Sequence, residues 1–135
     1  MIEVYLSLNG NAAEAAAYYA QQLDGQVAYM MRFADLPEAD KADMPPGAEG
    51  LVMYANVKTA VGDIMMSDMM PGTTVTPNEG VWINFSSKDQ ERLRAAFDAL
   101  AKDGEVIMPL EKTFFSPLYG QVKDKFGFYW MFLNY

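Results

Sequence analysis

The side chains that could do chemistry in this chain are hydroxyls, carboxamides, carboxylates and thioethers, because its 135 residues include neither histidine nor cysteine. That excludes Ser-His-Asp and Cys-His catalysis, a histidine general base, zinc-thiolate sites and every metal site that depends on imidazole. What remains is a set of binding groups. Tyr5 and Ser7 alternate with apolar residues near the start of the chain, and Trp82 and Asn84 do so past its middle. Aromatic surface with a few placed polar groups is what a small-molecule pocket requires, and such groups on a closed core face would need partners. Tyr119 or Tyr5 could donate a proton to a substrate oxygen, whereas a phenol of pKa ~10 needs a nearby cation before it serves as a base. Arg32 is a candidate clamp for an anionic group or one half of a surface ion pair; Arg92 and Arg94 read as solvated helix charges. Eleven methionines, with pairs at Met30-Met31, Met65-Met66 and Met69-Met70, read as core filling first and as an adaptable ligand pocket second.

The elements that must position these groups follow from periodicity. Val4, Leu6 and Leu8 alternate with Glu3, Tyr5 and Ser7, which predicts a strand over 2–8 with one apolar face. Asn11 with Glu14 three residues on predicts a capping box opening a helix over 12–23. Gly25 stands where a left-handed residue would close that helix, and Gln26 to Phe33 alternates as a second strand. Pro37, Pro45, Pro46 and Gly47 make 35–50 a long surface excursion, followed by a hairpin of 51–58 and 63–67 turning at Val61-Gly62. A connector spans 69–78.

The second half repeats the first. Val81, Ile83 and Phe85 alternate with Trp82, Asn84 and Ser86; Ser87 pairs with Gln90 as a second capping box. A helix over 89–102, with Leu93, Ala96, Phe97 and Leu100 on one face, ends at Asp103-Gly104 as the first ends at Asp24-Gly25. The glycine turns at Gly62 and Gly127 each enter an apolar last strand. The reading is one α+β domain, 1–135, built of two βαβββ modules, 1–68 and 79–135. These form a concave mixed sheet whose open face implies a cavity for a small molecule.

The net charge of −8 opposes nucleic acid and anionic lipid surfaces as partners. No apolar run approaches the ~20 residues of a membrane span, and the strand-like N-terminus predicts no signal peptide. Absence of cysteine fits a reducing cytoplasm.

These residues resemble a known family over the whole chain, the PhnB-like branch of the vicinal oxygen chelate superfamily, which includes glyoxalases, bleomycin-binding proteins, fosfomycin-resistance enzymes and extradiol dioxygenases. The resemblance is carried by 5–11 with Tyr18-Tyr19, by Ile64-Met65-Met66-Ser67-Asp68, by 104–110, and most specifically by Tyr119-Gly120, the Asp124-Lys125-Phe126-Gly127 turn and Trp130. It implies a homodimer and a ligand in the sheet cavity, with Thr113 to Tyr119 as an aromatic lid or dimer seam. Some members of the branch carry a methyltransferase label, but nothing here resembles a nucleotide-binding glycine-rich loop. Metal-dependent members place His or Glu ligands on the first and last strands of each module. Matching on the glycine turns puts Met66 and Met131 at those positions, and thioethers are poor ligands for hard divalent ions. Glu3, Asp68 and Glu79 are the nearest carboxylates, more often solvated at strand ends than ligating. The expected ligand-binding set is therefore Tyr5, Ser7, Arg32, Met66, Trp82, Asn84, Tyr119 and Met131, with no cofactor. The alternative is a non-catalytic protein that sequesters a cationic or aromatic compound.

Overall fold

A computed structural model describes all of Met1–Tyr135. The element order is β1 (Val4–Leu8), α1 (Ala12–Gln22), β2 (Gln26–Arg32), β3 (Val52–Thr59), β4 (Gly62–Asp68), β5 (Ile83–Ser87), α2 (Gln90–Asp103), β6 (Glu105–Glu111), β7 (Tyr119–Lys123) and β8 (Tyr129–Asn134), with 3-10 turns at Phe33–Asp35 and Glu38–Asp43. The strands form two four-stranded sheets, ordered β1-β4-β3-β2 and β5-β8-β7-β6. In each, the first and last strands of the module run parallel and the other pairings are antiparallel. This is the α+β, two-module βαβββ arrangement. The chain divides into two compact units, Met1–Val75 and Thr76–Tyr135.

Each unit buries one sheet face under its helix. In the first, Leu6, Leu8, Ala55, Val57, Ile64 and Met66 meet Ala15, Ala16 and Tyr19 of α1, all buried. In the second, Phe85, Val122, Trp130 and Phe132 meet Leu93, Phe97 and Leu100 of α2. The Phe132 ring lies 5.3 Å from that of Phe97, edge to face, a favoured aromatic geometry.

Local rules were overridden at three places. Asn11 precedes α1 but its side chain makes no cap bond; the Ala12 N–H is taken by Asp68 Oδ1, 2.8 Å away at the end of β4. In α2 the cap is Asp89, whose Oδ1 accepts from Glu91 N at 3.0 Å and Arg92 N at 3.2 Å. Ser87 Oγ instead accepts from Asp89 N, so the helix cap falls two residues later than the Ser87–Gln90 spacing predicts. The left-handed residue after α1 is Asp24, φ 53°. Gly25 is needed for a different reason: a Cβ there would collide with the backbone carbonyl oxygen of Lys58, as one at Gly104 would with that of Lys123. β1 and β5 also start two residues late, since Ile2 and Val81 stand exposed at 101% and 77% ahead of the first paired positions, Val4 and Ile83.

Candidate functional site

Side chains alternate across a strand, so the residues between the core positions stand on the opposite, open face of each sheet. Cross-strand register aligns them into rows. In the first unit Tyr5 pairs with Met65, Met65 with Asn56 and Asn56 with Tyr29. Ser7 pairs with Ser67, and Tyr54 with Met31. In the second unit the row is Asn84, Met131, Gln121 and Met108, with Tyr119 paired to Leu133 and Lys123 to Tyr129.

The two rows descend from one repeated motif on the third strand of each module. Tyr54-Ala55-Asn56-Val57-Lys58 parallels Tyr119-Gly120-Gln121-Val122-Lys123. In both, the small residue and the valine face the helix, while tyrosine, carboxamide and lysine alternate onto the open face. Gln121 Nε2 donates to the Tyr119 hydroxyl at 3.0 Å, and that hydroxyl donates to Met131 Sδ at 3.8 Å. Asn56 Nδ2 lies 3.5 Å from the Tyr54 hydroxyl, and Asn56 Oδ1 is buried without a hydrogen-bond partner. Tyr54 is flanked by Tyr5, 6.4 Å between centroids and 24° between planes, and by Tyr29 at 5.8 Å and 42°. The Tyr29 hydroxyl donates to Met31 Sδ at 3.6 Å.

Of the residues expected from sequence, Tyr5 and Ser7 share the open face of the first unit; Asn84, Tyr119 and Met131 share that of the second. Trp82 precedes β5, its indole N–H donating to Glu79 O at 2.8 Å and its ring edge-on to Tyr129 at 5.2 Å. Asn84 Nδ2 donates to Ser86 Oγ at 3.0 Å. Arg32 is elsewhere: its guanidinium donates to Gly50 O at 2.9 Å and its backbone N–H to Asp35 Oδ2 at 2.9 Å, which pins both ends of the 35–50 excursion. Met66 is corrected outright. It is fully buried on the helix side, paired with Leu6 and Ala55. The structural equivalent of Met131 is Met65, because β5–β8 aligns Asn84 with Met131 as β1–β4 aligns Tyr5 with Met65. The glycine turns are offset by one residue between modules, and a one-residue slip moves a side chain to the other face.

Core filling fails as the account of the methionines: Met66 alone belongs to the buried core, and Met31, Met65, Met108 and Met131 are half-buried on or between the open-face rows. Asn56, Tyr54, Tyr29, Met65 and Gln121 were missed by sequence reasoning. The signal for Tyr54, Asn56 and Gln121 was the repeated Tyr-small-amide-Val-Lys motif; Tyr29 and Met65 join them through strand register.

The superfamily's metal does not fit this donor set. The first and last strands offer Tyr5, Ser7, Asp63, Met65, Ser67, Asn84, Ser86, Tyr129, Met131 and Leu133 to the open faces; the one carboxylate among them, Asp63, stands exposed at the turn end of β4 opposite Lys58, and there is no imidazole to join it. Asp68 is buried, with Oδ1 on Ala12 N and Oδ2 on Val52 N, both at 2.8 Å. No three acidic side chains gather into a group that could hold an ion.

Asp124 explains the turn motif of the second unit. Its Oδ1 accepts from Phe126 N and Phe128 N at 2.9 and 3.0 Å, and its Oδ2 accepts from the Trp130 indole at 2.8 Å. This is a buried structural carboxylate, not a reactive one.

A family model described as 3-demethylubiquinone-9 3-methyltransferase matches residues 1–133. Protein YjdN of Escherichia coli K12 is 35% identical over 133 residues, covering 94% of this chain and 90% of its own. The crystal structure of PA1353 from Pseudomonas aeruginosa superposes with a TM-score of 0.85 at 32% identity, over 99% of this chain and 96% of that one. A PhnB protein from Bacillus cereus, bearing the same methyltransferase description, gives 0.74 at 26% identity over 99% and 98% of the two chains. In fold alone the likeness extends to a glyoxalase/bleomycin resistance protein/dioxygenase domain from Frankia sp. EAN1pec, with a TM-score of 0.70 at 16% identity over 99% and 95% of the chains. No helix is long and apolar enough to cross a membrane. With the family match spanning nearly every residue, the chain belongs to the PhnB-like 3-demethylubiquinone-9 3-methyltransferase family, and it shares its fold with a glyoxalase/bleomycin resistance protein/dioxygenase domain.

Proposed function

We propose that this protein binds a small organic molecule on the open sheet faces through amide, hydroxyl, aromatic and thioether groups, without a transition metal. The observation that carries the reading is Asn56 Oδ1, a buried acceptor with no partner on a face otherwise lined by tyrosine rings and methionine. Native structures satisfy nearly all such atoms, so an unfilled one on a surface away from the core marks a place for a ligand donor. The methyltransferase description carries no catalytic residue to this chain, and the reaction, where there is one, works by positioning and hydrogen bonding.

The open-face polar groups favour a second reading, sequestration without turnover. Asn56, Asn84, Gln121, Ser7, Ser67 and Ser86 are amides and hydroxyls, and none of them is a general base at neutral pH. The exposed apolar residues of β2 and β6, Val27, Val106 and Ile107, support a homodimer.

Native mass spectrometry tests these points together. Protein purified without added metal, then incubated with a panel of divalent ions, is expected to fly as a metal-free dimer, retaining an organic adduct where one co-purifies. One stoichiometric ion per subunit would overturn the metal-free reading. Release of the adduct with a changed mass would separate turnover from sequestration.

A further inference from the structure

Within the first unit, Tyr5, Tyr54 and Tyr29 form a continuous aromatic row over three strands, with Asn56 beside it. We propose that Asn56 and this tyrosine row are a subsite for the O–H or N–H donor of an uncharged aromatic molecule. This rests on the reading of the open faces as binding surfaces and deepens it by naming the ligand class.

Three observations fix that class. First, Asn56 presents an acceptor: its Oδ1 has no partner, while Nδ2 is directed to the Tyr54 hydroxyl. A buried carbonyl left without a donor costs ~1–3 kcal/mol, which a ligand O–H or N–H recovers. Second, the flanking groups are π faces, and offset stacking of a planar ring on tyrosine adds to its apolar burial. Third, the cross-strand neighbours are uncharged. Tyr29 and Met65 pair with Asn56, Tyr5 pairs with Met65, and Met31 pairs with Tyr54. The nearest charged residues along the strands, Lys58 and Asp63, are of opposite sign, stand opposite one another at the turn end of the hairpin, and are exposed to solvent. A ligand carrying net charge would lose hydration there without gaining a counter-ion. Tyr5 and Tyr29 are each 50% exposed, so both rings are within reach of a ligand and can turn without disturbing the helix-side core.

The second unit contrasts with the first. Gln121 Nε2 already donates to Tyr119, and Tyr119 to Met131, and Gln121 leaves no buried oxygen without a partner. The duplicated motif thus yields one satisfied copy and one open copy, and the open copy is the subsite.

The test titrates the intact, uniformly 15N-labelled protein with phenol, its methyl ether anisole, and protonated benzylamine, following the Asn56 side-chain amide signals and the backbone amides of β1–β4. Phenol is expected to shift the Asn56 side-chain signals and to bind at least about fivefold tighter than anisole, a ratio set by the one hydrogen bond they differ in. Asn56→Leu should abolish that preference, whereas Asn56→Asp, which keeps the acceptor, should retain it and covers the case in which the leucine variant does not fold. Equal affinity for anisole, a preference that survives Asn56→Leu, or benzylamine binding tighter than phenol would each overturn the proposal. Absence of any phenol response would overturn it as well. Should fragments from a broader library then shift Asn84 or Gln121 instead, the general reading would stand without this subsite. If none shifts either open face, both fall.

Discussion

Asp68 and Asn134 occupy the same position at the ends of β4 and β8, yet they hold their modules with opposite hydrogen-bond polarity. Asp68 accepts from the Ala12 and Val52 backbone N–H groups, both at 2.8 Å. Asn134 donates through Nδ2 to the Ser87 and Lys88 carbonyls at 2.8 and 3.1 Å, and its Oδ1 accepts from Gln90 Nε2 at 3.0 Å. The difference follows from the cap: α2 has Asp89 of its own to satisfy its first N–H groups, while α1 borrows Asp68 from across the sheet.

The isosteric swaps are therefore expected to be costly in both directions. Asp68→Asn turns an N–H donor toward a backbone N–H, and Asn134→Asp sets a carboxylate against two carbonyls. Each should lower stability by about 1–3 kcal/mol, the cost of leaving buried groups mispaired. Both tryptophans, Trp82 and Trp130, lie in the second unit. Urea unfolding followed by tryptophan fluorescence should therefore report Asn134→Asp, and hydrogen exchange of the α1 amides should report Asp68→Asn. Exchange of α1 unchanged by Asp68→Asn would contradict the capping role.

Asp124 should prove the least replaceable carboxylate in the chain. It is 3% exposed and takes three N–H donors, including the Trp130 indole. Asp124→Ala strands all three in the interior, for an expected loss of about 3–5 kcal/mol, near the upper end for single substitutions. Asp124→Asn keeps one acceptor oxygen and should lose less. The fluorescence midpoint in urea distinguishes the two, and an alanine variant as stable as the asparagine one would show that the acceptor oxygen asparagine keeps contributes little.

Backbone approach makes a further prediction. A Cβ at Gly104 would overlap the Lys123 carbonyl oxygen and crowd Leu100 O at 2.8 Å and Asp124 Cα at 3.1 Å, all of them backbone atoms. None of these can swing aside as a side-chain tip would. Gly104→Ala should cost about 3 kcal/mol or more. At Gly10, with φ 90° and no atom within 4 Å of where a Cβ would stand, alanine meets only left-handed strain, about 1–2 kcal/mol. Thermal unfolding of the two variants should rank them in that order.

The order of elements was legible because period-2 alternation and the helix stripe survive in both halves, and the face of β1 carrying Tyr5 and Ser7 came out as the alternation predicts. What failed depended on contacts distant in sequence. Asn11 and Ser87 look like helix caps by local rules, but Asp68 lies 56 residues from the Ala12 it caps. Asp89 outcompetes Ser87 from within the same turn. The open-face group Tyr54, Asn56 and Tyr29 was hidden because β2 and β3 read as ordinary alternating strands; only the match of 54–58 to 119–123 singles out Tyr54 and Asn56, and Tyr29 joins them through strand register. Aligning the last strands on their glycines sent Met66 to the wrong face, since strand register, not turn position, sets parity.

That register can be tested on the two methionines it separates. Met66 is fully buried between Leu6, Ala55 and the helix, whereas Met131 is half-buried on the open face beside Tyr119. Met66→Ala should open a cavity and lower stability by about 2–5 kcal/mol, with the same truncation at Met131 costing about 1 kcal/mol or less. Oxidation should follow the same division. Hydrogen peroxide converts accessible thioethers to sulfoxides, so peptide mapping along a peroxide time course should show Met131 and Met65 modified well before Met66. Early oxidation of Met66 in folded protein would place it on the open face and restore the glycine-based alignment. A protected Met66 together with a reactive Met65 would fix Met65 and Met131 as the equivalent pair.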